Sequence, residues 1–128
     1  MKNLAVLGFV LLSSVPVLAD CPLPMVGGER IAVRYVPVSK NYEKTMKAFE
    51  ANFEGHIGYI GTQMQAGMIE SAGPYYTEDG KMNGGTGIYN TTDFAKVREL
   101  VQQDPVVAKK VFKPELHKWM QCSLPVAK

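Results

Sequence analysis

The hydrophobic patterning of the chain predicts an α+β domain in the order strand, helix, strand, strand, helix, strand. The sheet is antiparallel and both helices lie on one face. Three observations carry this. Residues 30–38 alternate with period two, with Ile31, Val33 and Tyr35 on one side and Ala32, Arg34 and Val36 on the other. From Tyr42 the period changes to three and four, and the same change recurs after residue 90. Gly-, Pro- and Asp-containing breaks punctuate the pattern, with no internal repeat.

The elements follow in order. Residues 20–29 (DCPLPMVGGE) read as an extended lead-in to the strand at 30–38. Tyr42, Met46, Phe49, Phe53, Ile57, Ile60 and Met64 mark the buried stripe of a helix. Gly55, Gly58 and Gly61 interrupt that stripe, each costing about 1 kcal/mol against Ala in a helix interior. The helix therefore either bends near Gly55 or uses its glycines to admit another backbone. Gly67 is the expected C-terminal cap. A short strand at 68–72 ends at Gly73-Pro74, a polar loop spans 75–84, and a third strand follows at 85–90. The second helix is expected at 93–103, with Thr92 as its N-cap and Phe94, Val97, Leu100 and Val101 facing inward. Asp104-Pro105 stops it and opens a further turn. The last strand is read at 111–120, with residues 123–128 as a frayed tail.

The first nineteen residues, MKNLAVLGFVLLSSVPVLA, have the layout of a cleavable secretory leader. Lys2 is followed by an apolar run, and small residues close it at Ala19. The expected product is a periplasmic or secreted protein cut after Ala19, with no stable membrane anchor. Loss of Lys2 takes the formal net charge from +2 to +1. With no basic run, nucleic acid is not an expected partner. Cys21 and Cys122 sit near the two ends of the exported chain. An oxidising compartment favours a disulfide between them, since neighbouring antiparallel first and last strands would bring these ends together. Pairing between subunits and two unpaired thiols are the alternatives. Ala32, Val36 and Tyr89 are read as partly apolar positions on the sheet face away from the helices, which a second copy would cover.

The runs HIGYIGTQMQAGMIESAGP, EDGKMNGGTGIY and DFAKVRELVQQDPVVAKKVFKPELHKW resemble the YCII-related (YciI-like) domain family. The match is good from His56 to Trp119 and looser from Arg30 to Gly55, and places this domain at residues 30–122. Glu54-Gly55 departs from the family's lead to the histidine. The resemblance implies a ferredoxin-like βαββαβ fold that assembles as a dimeric α/β barrel. It also implies an active-site pair of helix histidine and Asp-Pro aspartate, here His56 and Asp104. A few relatives resemble enzymes that isomerise or dehalogenate muconolactones.

The residues can be weighed without the family. His56 lies at the edge of the apolar stripe, where an imidazole can relay protons at neutral pH. Asp104 before Pro105 has the pattern of an N-cap, which explains it without catalysis. Tyr59, one turn from His56, and Arg34, among apolar strand positions, are candidate ligand contacts. His117 reads as a strand-face residue and Trp119 as core. No two histidines share a metal-ligand spacing, and proton transfer by His56 and Asp104 would need neither metal nor organic cofactor. Two functions remain. One is a homodimer that binds a small organic molecule and moves protons with His56 and Asp104. The other is a non-catalytic dimeric binding or structural module.

Overall fold

The computed structural model describes residues 26–123. The elements are β1 (Val26–Pro37), α1 (Tyr42–Ala51), α2 (Phe53–Gln65), β2 (Ile69–Tyr76), β3 (Met82–Tyr89), α3 (Phe94–Val101), α4 (Pro105–Ala108) and β4 (Phe112–Ser123). Residues 30–119 form one unit; the described residues of the other, 26–29 and 120–123, are all strand. The expected leader at 1–19, Cys21 and residues 124–128 lie outside the described residues. So, therefore, does the pairing expected between Cys21 and Cys122.

The sheet runs β2-β3-β1-β4, the ferredoxin-like order expected of this pattern. β3 is antiparallel to both β1 and β2, with Ile31 opposite Tyr89, Val33 opposite Gly87 and Tyr35 opposite Gly85. This register puts Tyr89 on the same face as Ile31, Val33 and Tyr35. Tyr89 is fully buried there, in the core, and not on the outer face as the sequence reading had it. The core packs these strand residues against Tyr59 of α2, Val97 and Val101 of α3, Val106 and Val107 of α4, and Phe112 of β4. The helices thus cover one face. On the other, Ala32 is buried, Val36 and Ile88 are half-buried, and Arg34 is exposed.

Several boundaries moved for physical reasons. The long helix breaks at Asn52, three residues before Gly55. There the backbone turns to φ −117°, ψ 12°, and the Asn52 side-chain amide donates to the Ala48 carbonyl at 2.8 Å. A residue that bonds its own preceding turn offers the backbone an alternative to helix. Beyond the break, α2 buries Tyr59 and Gln63 while Phe53, Ile57 and Met64 are exposed; in α1 the buried residue is Thr45. The chain leaves α2 through Gly67 at φ 76°, as expected of the cap. β2 runs through Gly73-Pro74 to Tyr76 because it is an edge strand, where a proline without an N–H is tolerated. Asp93, not Thr92, caps α3, its Oδ1 accepting from the Lys96 N–H at 3.1 Å. Trp119, expected in the core, is 45% exposed.

Candidate functional site

α2 and α4 meet at Gly55. A Cβ at that position would lie 2.8 Å from Pro105 Cγ, so only glycine lets the two elements approach this closely without displacing the ring. The approach sets His56, the next residue along α2, beside Asp104, the residue before Pro105. His56 Nδ1 is 2.8 Å from Asp104 Oδ2 and 3.1 Å from Oδ1. Asp104 is at 0% exposure and the His56 side chain at 15%. Asp104 is also the N-cap of α4, Oδ1 accepting from the Val106 N–H at 3.2 Å. The capping and pairing roles coexist on one carboxylate, as its several lone pairs allow.

This arrangement assigns the two ring nitrogens different tasks. A buried carboxylate accepts and does not donate, so Nδ1 carries the proton toward Asp104. Nε2 has no hydrogen-bond partner among the described residues, leaving a lone pair for a ligand. The ring is held by aromatic edges: Tyr35 at 5.9 Å and Phe49 at 5.8 Å between centroids.

His56 lies in the wall of a cleft of about 250 Å³ between the helices and the β2–β3 hairpin. Phe49, Phe53, Ile57 and Ile60 line its helical side, while Gly73, Pro74, Gly84 and Thr86 line the hairpin side. Phe112 and Tyr35 complete the wall. Gly84 sits at φ 93°, with its absent Cβ 2.0 Å from the Tyr35 carbonyl oxygen, so no other residue could pass here. The lining is overwhelmingly apolar, which suits a small organic ligand held by shape and oriented by few polar groups.

Of the candidate ligand contacts, neither reaches this wall. Tyr59 is buried in the core, with its hydroxyl 2.9 Å from that of Tyr89. Arg34 is exposed on the other face of the sheet, its guanidinium carbon 5.9 Å from the Tyr75 ring centroid. Glu70 is bonded to Arg30 at 3.0 Å. His117 is exposed, 3.7 Å from Glu115. Among the described residues no cluster of histidine, cysteine, aspartate and glutamate could hold a metal ion, and no helix is long and apolar enough to cross a membrane.

The sequence reading missed Tyr35 and Phe49 as site residues, treating both as core. The signal was present in part: Phe49 precedes His56 by seven residues, two helical turns, so it shares its face even across the break at Asn52. Tyr35 depends on sheet register and carried no local mark. Burial, and then the charge of Asp104, push its phenol far above the ordinary tyrosine range. Tyr59 and Tyr89 are raised likewise, by burial first and then by each other or by Tyr35.

No curated protein matches the chain in sequence. In three dimensions it is similar to 5-chloro-2-hydroxyhydroquinone dehydrochlorinase from Burkholderia phenoliruptrix AC1100, solved in complex with 2,5-dihydroxybenzoquinone. The TM-score is 0.56 at 19% identity, covering 70% of this chain and 92% of that one, a likeness of fold. The sequence model of the YCII-related domain matches residues 33–118. That span is most of the 128 residues, and the chain belongs to the YCII-related domain family.

Proposed function

We propose that this protein binds a single-ring organic molecule in the apolar cleft and catalyses cofactor-free proton transfer, of the elimination or isomerisation type. The observation that carries the reading is the His56–Asp104 pair, bonded through Nδ1 and set in the wall of the cleft. The volume favours a substituted ring, since cavities of about 150 Å³ already accept benzene. The similar solved structure holds a dihydroxylated quinone, which supports the same ligand class.

In the proposed step, Asp104 holds the imidazole in the tautomer with Nδ1 protonated. Nε2 then removes a proton from the ligand. In an elimination, the C–H electron pair becomes the new double bond and the leaving group departs with its own bonding pair. In an isomerisation, His56 returns the proton to a different carbon. Positioned acid–base catalysis of this kind is worth roughly 10²–10⁴-fold.

The test is to screen hydroxylated aromatics, quinones and lactones with wild type, His56→Ala and His56→Gln, following binding by calorimetry and turnover through proton or halide release. Both variants are expected to fold and bind, and to lose at least 100-fold in kcat. A variant that keeps wild-type turnover refutes the acid–base role.

Two further parts complete the proposal. The half-buried Val36 and Ile88 on the outer sheet face support a homodimer, to be checked by sedimentation. The leader at 1–19 supports export, to be checked by the intact mass of the exported protein.

A further inference from the structure

The His56–Asp104 pair has unused acceptor capacity. Asp104 Oδ1 takes the Val106 N–H and the longer limb of the His56 Nδ1 bond, while Oδ2 takes His56 alone. A carboxylate offers about four lone-pair directions, so this one, fully buried, still has room for a donor. A donor without an acceptor belongs to Tyr35, whose ring lies 5.9 Å from that of His56, the residue Asp104 holds. The Tyr35 hydroxyl is the buried side-chain polar atom that has no hydrogen-bond partner among the described residues, on a residue only 5% exposed. Orphaned buried donors are rare in native proteins and call for an explanation. The side chains whose charge or hydroxyl acts on this phenol are Asp104, Tyr89 and Tyr59. Beyond it, the Tyr59 and Tyr89 hydroxyls are already bonded at 2.9 Å.

We propose that the Tyr35 hydroxyl donates to Asp104 Oδ2, making Tyr35 a positioning residue for the pair at the end of a string running Tyr59, Tyr89, Tyr35, Asp104, His56. Each hydroxyl donates toward the carboxylate, so each polarises the next. A second strong donor spreads the charge of Asp104. The Nδ1 proton then stays on the imidazole, and Asp104 remains an orienting anion instead of becoming a competing base. Tyr35 also lines the cleft, so a ligand pressing on its ring touches the same string that holds the pair. The inference rests on the acid–base reading for its functional meaning; its existence rests on the orphaned Tyr35 hydroxyl, the open capacity of Asp104 Oδ2 and the 5.9 Å between the Tyr35 and His56 rings.

NMR of the full chain without ligand tests it. In the wild type, the Tyr35 hydroxyl proton is expected to show a cross-relaxation peak to His56 Hδ1, since both protons point at one oxygen. In Tyr35→Phe the His56 Nδ1 and its proton are expected to shift downfield as Asp104 loses a competing donor. Tyr59→Phe should move them in the same direction by less. If Tyr35→Phe does not fold, the wild-type peak decides. A Tyr35 hydroxyl that relaxes only with Tyr89, or His56 ring nitrogens unmoved in a folded Tyr35→Phe, overturns the proposal. Neither readout needs a substrate, so its failure is distinguishable from that of the acid–base reading, which the His56 variants decide by turnover.

Discussion

Two short segments of this chain look alike in sequence and differ in what the fold makes of them. At the start of α3, Asp93 has extended backbone (φ −90°, ψ 96°) and accepts the N–H of Lys96. At the start of α4, Asp104 has nearly the same backbone (φ −77°, ψ 122°) and accepts the N–H of Val106. Both are ordinary N-caps. Asp93, however, is exposed and is bonded locally to Thr91 and Lys96, whereas Asp104 is sealed under α2 and holds His56. A capping signal is therefore neutral about function. A carboxylate becomes part of a candidate site only when tertiary packing brings it a partner from a distant element.

Alanine substitution separates the two aspartates directly. Asp93→Ala removes an exposed cap and should cost about 1 kcal/mol. Asp104→Ala removes a cap and the charged acceptor of a buried hydrogen bond, and should cost about 2–4 kcal/mol. Urea denaturation of both variants compares them, and equal losses would reduce Asp104 to a cap. Asp104→Asn sharpens the contrast, because asparagine caps as well as aspartate does. It should leave most of the stability in place while mixing the two His56 tautomers, visible in the ring nitrogen shifts.

The next effect comes from what stands behind each aspartate. Asp104 is backed by Tyr35, Tyr59 and Tyr89, whose phenols are held above their ordinary range, chiefly by burial. A phenol raised in the folded state favours folding fully below its unfolded pKa of about 10, and the advantage is lost as pH rises from there toward the folded value. Each should therefore withdraw about 1.4 kcal/mol of stability per pH unit above that point. Tyrosinate absorbance should show three of the six tyrosines ionising only as the chain unfolds. A smooth titration of all six on a folded protein would mean that this region opens more readily than its packing implies.

The fold was largely legible because it rests on local signals. Alternation at Ile31, Val33 and Tyr35, the helical period after Tyr42 and the caps at Gly67 and Asp104 act within a few residues, and the observed elements follow them. The failures fell where a distant partner decides. Tyr89 was placed outward because its face depends on pairing with Ile31, which no local pattern reveals. Trp119 looked like core by size alone, yet lies on the exposed β4. His56 and Asp104 carried a visible pattern through the family resemblance, and the fold brings them into contact. Tyr59 is a candidate for lying one turn from His56 and Arg34 for lying among apolar strand positions, and packing sends the first into the core and the second to the far face.

The smallest effect makes the same contrast within one helix. Gly55 and Gly58 of α2 are both glycines in a helix interior, where alanine is better by about 1 kcal/mol. Around Gly58 nothing lies within 4 Å of an added Cβ, so Gly58→Ala should gain roughly that amount and leave His56 undisturbed. At Gly55 the same methyl meets the Pro105 ring at 2.8 Å. The ring is rigid and its residue opens α4, so α2 and α4 must part, at an overpacking cost of about 1–3 kcal/mol against the helical gain. Gly55→Ala should end slightly less stable than wild type. More tellingly, it should stretch the bond between His56 and Asp104, since those residues adjoin the point of contact. Paired thermal melts with His56 ring nitrogen shifts read both consequences. A Gly55→Ala protein that gains stability and keeps the wild-type shifts would show that helix contact does not set the spacing of the pair.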